Sequence, residues 1–460
     1  MPIISPSDLL LPAEPGRRAL ARELYALAAE QPIISPHGHV DPALLAEDHP
    51  FPDPARLLVV PDHYLTRMLL SQGVPPADLG VPSVDGSPVE TDGRTIWRRF
   101  AAHWHLFRGT PSRLWLEQTF RDVFGVTTPL GPATADAVYD ELATRLTEPE
   151  FRPRALFERF GIEVLATTES PLDDLGRHAK LAADGWGGPG GRVVTTFRPD
   201  DVVDMEFDNW SANVDRLAEV SGEDTGTYAG YLAALRARRE AFAAAGATSS
   251  DHGHPTARTL DLGPAEAAAL YDRGRRGLAD AADAEAFRAH MLLEFARMSL
   301  DDGLVMQLHP GAVRNHNRWL HARHGRDVGG DVPQATDYVH GLAPLLDAHG
   351  NDPRLTVVLY TLDEDTFTRE LAPSPAGTRR CASARPGGSS TRRRCCAGSA
   401  RRSPRPPAST TPPGSSTTPA RSAPSRYATT WPAGSTPVSS PVSSPSTGWT
   451  PTRPPRPSST

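Results

Sequence analysis

At 460 residues the chain is long enough for two or three ordinary domains or one large barrel with additions, yet a hydrophobic share of 38% is low for one compact globule. The average conceals a break: from Pro373 to Thr460 there is no Asp, Glu, Lys, His, Asn, Gln, Leu, Ile, Met or Phe, and the 13 Arg of this tail leave −20 of the net charge of −7 to residues 1–372. So acidic a body excludes nucleic acid and anionic membrane surfaces as partners.

The N-terminal stretch MPIISPSDLLLPAEPGRRAL has no basic segment followed by an apolar core, so it does not read as a secretion signal. No apolar run approaches the roughly 18 residues of a membrane span. ALARELYALAAEQ reads as a helix leading into a short strand at PIIS. The strand runs out in SPHGHVDP, where His37 and His39 are two residues apart. Residues at that spacing on a strand share a face, and Gly38 between them lets another group approach closely. Two imidazoles on one face suit a divalent metal, though a polar loop with two solvated histidines has the same sequence.

From about residue 92 to 160 the pattern is mostly helical, with Trp97, Trp104, Trp115 and several phenylalanines at helix-like spacing; this predicts a helical insertion with its own core. ALFERFGIEVLATTES is then a helix end followed by a strand, and GRVVTTFRPD is another strand. GLVMQLHPGAVRNHN holds a strand ending at His309, HGLAPLLDAHG is a helix, and RLTVVLYTLDED is a strand. Strands alternating with helices imply a parallel sheet. The predicted strands end in polar groups: His37 and His39, Thr168 and Glu169, Arg198, His309, then Thr361 and Asp363. Such groups converge on one mouth in a barrel, whereas a doubly wound sheet would show a glycine-rich phosphate loop, and none fits here. The expectation is an α/β fold over residues 1–372, a (β/α)8 TIM-type barrel interrupted by the insertion.

The segments PHGHVDP, PDHYLTRMLLSQGV, TTFRPD, DHGH and GLVMQLHPGAVRNHN together resemble the uronate isomerase (glucuronate isomerase) family of the amidohydrolase superfamily, from about residue 3 to 372. The resemblance implies a distorted barrel and an aldose–ketose isomerase that interconverts D-glucuronate with D-fructuronate and D-galacturonate with D-tagaturonate. It implies His37 and His39 as metal ligands, His63 and Tyr64 as a catalytic pair, and His309 near the metal. Arg198 would face the substrate, and His252 would lie in the site or in a loop beside it. Without the resemblance, His63 and Tyr64 read as polar groups at a helix start, and Arg198 as half of a salt bridge. Lys180 is the only lysine, so a carboxylated lysine bridging two metals is not expected; one divalent ion, zinc for preference, is. The implied partner is a uronate sugar, in a cytoplasmic protein that a homo-oligomer would also suit. A metal-dependent amidohydrolase is the rival enzyme, and a non-catalytic remnant with a basic binding tail the rival of another class.

The resembled family continues with a Trp-Trp pair and then a segment like GFYNTAGFVDDTRAF, whose Asp completes the metal site and whose Arg contacts the substrate. Neither occurs here. Written in GC-rich codons and read one base later, that segment becomes ASTTPPGSSTTPARS, which is Ala408 to Ser422. Trp-Trp-Phe becomes Gly-Gly-Ser in the same shift, matching Gly387, Gly388 and Ser389. Residues 373–460 therefore read as a frameshifted barrel end, with the last strand missing and a disordered tail in its place; a genuine Pro/Ser/Arg interaction tail is the alternative. All three cysteines, Cys381, Cys395 and Cys396, fall in this tail, so the body offers no disulfide framework and fits a reducing compartment.

Overall fold

A computed structural model describes residues 10–326, 328 and 330–373, together with the backbone of 381–384. Seven parallel strands follow the order β1 (Ile33–Ser35), β2 (Ile162–Ala166), β3 (Val193–Val194), then β4 (Ser249–His252), β5 (Val305–Leu308), β8 (Val357–Tyr360) and β9 (Cys381–Ala384). Phe197 joins the two halves by bridges to Glu169 and to Ser250. Helices lie between successive strands, as parallel pairing requires. A separate antiparallel ribbon of β6 (Ala312–Val313) and β7 (Val332–Pro333) rises from the loop after β5. Among the described residues no helix is long and apolar enough to cross a membrane.

The described residues bury three hydrophobic clusters, two of them large. The larger packs helices Tyr228–Ala244 and Ala281–Asp302 on the outer face of β4, β5 and β8, through Phe242, Phe295, Met306 and Val357 among others. The second lies in the chain between β1 and β2 and is aromatic, centred on Trp97, Phe100, Trp104, Phe107 and Phe120. It also takes in Ala55, Leu58, Leu65 and Leu69, upstream of the expected limit at residue 92, because helices Pro54–Leu58 and His63–Leu70 turn their apolar faces to it. Asp53, Asp62 and Asp92 cap three of its helices by accepting from backbone N–H groups.

Behind β2 sits a buried polar group. Glu169 accepts from Thr195, and His178, on helix Gly176–Ala183, bonds Thr167 Oγ1 at 2.9 Å. Burial pushes the Glu169 carboxyl up to about 7, against the hydrogen bonds from Thr195 and Thr167.

The tail departs from the expected disorder at one place. Cys381–Ala384 extends the sheet, pairing Val357 with Cys381 through Tyr360 with Ala384. Strand pairing is made by main-chain groups, so a segment without large apolar residues can still occupy the free edge of β8. The rest of the expected disordered tail lies outside the described residues. Among the described residues β1 pairs only with β2, and β9 only with β8.

Candidate active site

The C-terminal ends of β1, β4 and β5 bring together His37, Asp251 and His309, whose ligand atoms all lie within 4.8 Å of one another. His309 Nε2 donates to Asp251 Oδ2 at 3.0 Å and lies 2.9 Å from Oδ1. His37 Nδ1 is 3.5 Å from Asp251 Oδ1. Gln307, one strand position before the end of β5, orients His37: its Nε2 donates to the Pro36 carbonyl at 2.8 Å, which turns Oε1 to accept from His37 Nδ1 at 2.9 Å. That tautomer leaves the Nε2 lone pair of His37 for a ligand. The His-Gly-His turn is held to β2, where Thr168 Oγ1 donates to the Gly38 carbonyl at 2.7 Å. A Cβ on Gly38 would sit 2.8 Å from the Ala166 carbonyl, so the close approach needs glycine.

Arg198 borders this cluster. Its Nε donates to Asp200 at 2.9 Å and lies 3.7 Å from Asp251. Asp200 also receives the Gly253 amide at 3.1 Å on each oxygen. Burial opposes ionisation of Asp251, but His309, His37 and Arg198 outweigh it and hold its carboxyl well below the usual range. Burial likewise lowers His37 despite the pull of Asp251, so its imidazole is neutral at neutral pH. A neutral His37 imidazole beside an ionised Asp251 carboxylate suits a divalent metal. The Oδ1 atom of Asp251 is buried and accepts no hydrogen bond, which a cation would remedy. The donor set therefore fits a metal.

Four of the expected residues, His37, His39, His309 and Arg198, thus meet at one mouth. His39 lies beside the converging set, its ring 5.0 Å from that of His37, and the set also takes in Asp251, which the sequence reading did not name. His252 does not join them. Alternation along β4 sends Asp251 into the mouth and His252 to the outer face, where its ring lies 4.8 Å from Phe295 and Nε2 meets Ser250 Oγ at 3.0 Å. Its ring therefore lies neither in the mouth nor in a loop, but buried on the strand. His63 and Tyr64 open helix His63–Leu70, their rings 4.2 Å apart. Tyr64 Oη donates to Asp331 at 3.3 Å beside β7, and Arg314 Nε donates to the same carboxylate at 3.0 Å. Burial, then Asp331, pushes the Tyr64 phenol up to about 12. Sequence reading missed Asp251, Asp200 and Gln307. For Asp251 no signal was readable, because β4 is polar throughout and shows no apolar alternation from which to set its register.

The sequence pattern of glucuronate isomerase matches residues 16–373. The chain belongs to the glucuronate isomerase family. A uronate isomerase of Rhizorhabdus wittichii is 60% identical over 366 residues, 80% of this chain and 77% of that one. One from Rhizobium meliloti is 57% identical over the same shares. Among solved structures, glucuronate isomerase from Caulobacter crescentus aligns with a TM-score of 0.79 at 52% identity, covering 82% of this chain and 78% of its own. Uronate isomerase from Thermotoga maritima aligns at 0.74 and 25% identity, over 83% and 80%. As a member of the glucuronate isomerase family, the chain is an isomerase whose barrel carries the site described above.

Proposed function

We propose that the site interconverts D-glucuronate with D-fructuronate, and D-galacturonate with D-tagaturonate, in a cytoplasmic enzyme using one zinc ion. The observation that carries this reading is the meeting of His37, Asp251 and His309 at the strand ends of a chain of this family. Aldose–ketose exchange moves a proton between C2 and C1 and leaves charge developing on the sugar oxygens. A metal held by His37, Asp251 and His309 would polarise those oxygens. Arg198 pairs with the substrate carboxylate, whose planar shape it matches. His309, with His37 and Asp251, would hold the metal, and Tyr64 and His63, at the start of helix His63–Leu70, would relay the proton.

The tail is, in this reading, the barrel end translated in a shifted frame. The family match stops at residue 373, and nearly a quarter of the Rhizorhabdus wittichii enzyme has no counterpart. The chain as written then lacks one metal ligand and one substrate arginine, and losses of that kind commonly cost roughly 10²–10³ in rate each. The test is uronate turnover of this chain and of a frame-restored chain, each assayed with and without a chelator. The restored chain is expected to turn over and to lose its rate to the chelator, while the chain as written is slower by several orders of magnitude. A restored chain that leaves both sugars unchanged would refute the proposed activity.

A further inference from the structure

Arg198 stands between two carboxylates. Its Nε lies 2.9 Å from Asp200 Oδ2 and 3.7 Å from Asp251 Oδ2. Its main chain is tied down, because the Arg198 amide donates to the Glu169 carbonyl at 2.9 Å. The side-chain torsions therefore decide which carboxylate takes the guanidinium.

Several contacts favour Asp200. Each of its oxygens accepts from the Gly253 amide at 3.1 Å, so the carboxylate cannot turn away from Arg198 without giving up those bonds. Gly253 follows Asp251 by two residues, so one short stretch of chain sets the spacing of the two acids. Burial opposes ionisation of Asp200, but Arg198, then His254, hold its carboxyl below the usual range. His254 Nε2 lies 3.9 Å from Asp200 Oδ1, and burial lowers this imidazole despite the pull of Asp200, so it is neutral at neutral pH. The charged partner of Asp200 is thus Arg198. Asp251, in contrast, is poorly suited to serve two cations. Its Oδ1 is buried and accepts no hydrogen bond, and it is the oxygen a metal would take. A guanidinium drawn onto the same carboxylate would set a positive charge against the ion and compete for its lone pairs.

We propose that Asp200 is a positioning residue that keeps Arg198 off Asp251, so that the guanidinium and the metal each have a carboxylate of their own. Arg198 then remains beside the metal set with its charge available to the uronate carboxylate. The inference rests on the metal and substrate proposed above and deepens that reading by naming the residue that divides the two positive charges.

The test is the zinc affinity of the full 460-residue chain, read by chelator competition in the parent, Asp200→Asn, Arg198→Ala and the double variant, with Asp200→Ala as a second probe of the same position. Asp200→Asn keeps the volume and removes the charge. Both Asp200 variants are expected to weaken zinc binding by about tenfold or more, the effect of losing a group that orders a metal site. Arg198→Ala is expected to bind at least as tightly as the parent. The double variant is expected to return to within about threefold of Arg198→Ala, because no guanidinium remains to fall onto Asp251. A loss that persists in the double variant overturns the inference, since Asp200 would then act only by holding the Gly253 loop. Unchanged affinity in both Asp200 variants overturns it too. In the frame-restored chain at saturating zinc, Asp200→Asn is expected to raise KM for glucuronate by about tenfold or more with kcat within about fivefold of the parent. A fall in kcat with KM unchanged overturns the role toward substrate. The two readings fail separately: the expected zinc pattern in a chain that leaves glucuronate unchanged after frame restoration removes the activity and upholds the division of charge, whereas turnover without that pattern removes the division of charge alone. A parent that binds no zinc in either form overturns both.

Discussion

Replacing Gly253 by alanine probes the tightest packing in the site. A Cβ there would stand 2.6 Å from Arg198 Nη2, 2.7 Å from Asp200 Oδ2 and 2.8 Å from His309 Cε1. Ordinary contact begins near 3.5 Å, so each neighbour has to retreat by roughly 0.7–0.9 Å. The backbone cannot yield instead without losing the two bonds from the Gly253 amide to Asp200. Overpacking of this kind costs about 1–3 kcal/mol. Gly263 is the matched control, because it has φ −63° and a Cβ there would meet nothing within 4 Å. Gly263 is the N-cap of helix Pro264–Arg275, so the gain of about 0.4–1 kcal/mol that alanine makes through the unfolded chain is offset by a poorer cap of similar size, and the net change is near zero. Urea unfolding of the two variants should therefore separate them by about 1–3 kcal/mol. Metal affinity, read by chelator competition, should fall by about tenfold or more in Gly253→Ala, because His309 is pushed from its place. Equal unfolding free energies, or unchanged metal affinity in Gly253→Ala, would refute the packing argument.

Asp251→Asn is expected to weaken divalent-metal binding by at least about a hundredfold, measured by the same competition, since the neutral amide cannot replace the converging carboxylate. His252→Ala should leave metal affinity within about twofold of the parent while lowering the unfolding midpoint, because its ring packs against Phe295 outside the mouth. Glu169, raised from 4.5 to about 7, binds its proton more tightly folded than unfolded. Its contribution to stability is therefore complete below about pH 4.5 and is lost as pH rises through about 7, so the parent should lose roughly 1–3 kcal/mol relative to Glu169→Gln between those limits; parallel pH slopes in urea titrations would contradict this. In a frame-restored chain Arg198→Ala should raise KM for uronate by about a hundredfold or more, a change that steady-state kinetics at a fixed metal concentration will show.

The parts of the fold legible in the sequence were those written in apolar runs. Ile33 and Ile34, the Val164–Ala166 stretch and the Val305–Leu308 and Val357–Tyr360 strands stand out against polar flanks, and the ends of the first and third pointed to His37, His39 and His309. β4 was not legible, because Ser249, Ser250, Asp251 and His252 are all buried and all polar. A strand whose inner face lines a polar site and whose outer face makes hydrogen bonds carries no hydrophobic alternation. With β4 unseen, the choice between Asp251 and His252 had no register to rest on. Gln307 was hidden for the opposite reason, being a polar residue inside an apolar run, where its role depends on the Pro36 carbonyl far away in the chain. The β6–β7 ribbon, two residues a side, offers too short a pattern to read, and with it went the contact of Tyr64 to Asp331.

The pairing of Ile33 with Ile162 spans about 130 residues, most of them in the helical segment built around the aromatic core. Closing so long a flexible loop costs entropy that three strand residues do not recover by themselves. If the intervening helices fold first, they bring the two ends together and shorten the effective loop. β1 then joins the sheet late, and with it the His37 imidazole. The carboxylate and His309 come from β4 and β5, adjacent strands in a compact stretch of chain. Two of the three donors are therefore in place while the third is still arriving, and a metal ion present during folding would be caught by the incomplete set and would draw β1 onto the sheet.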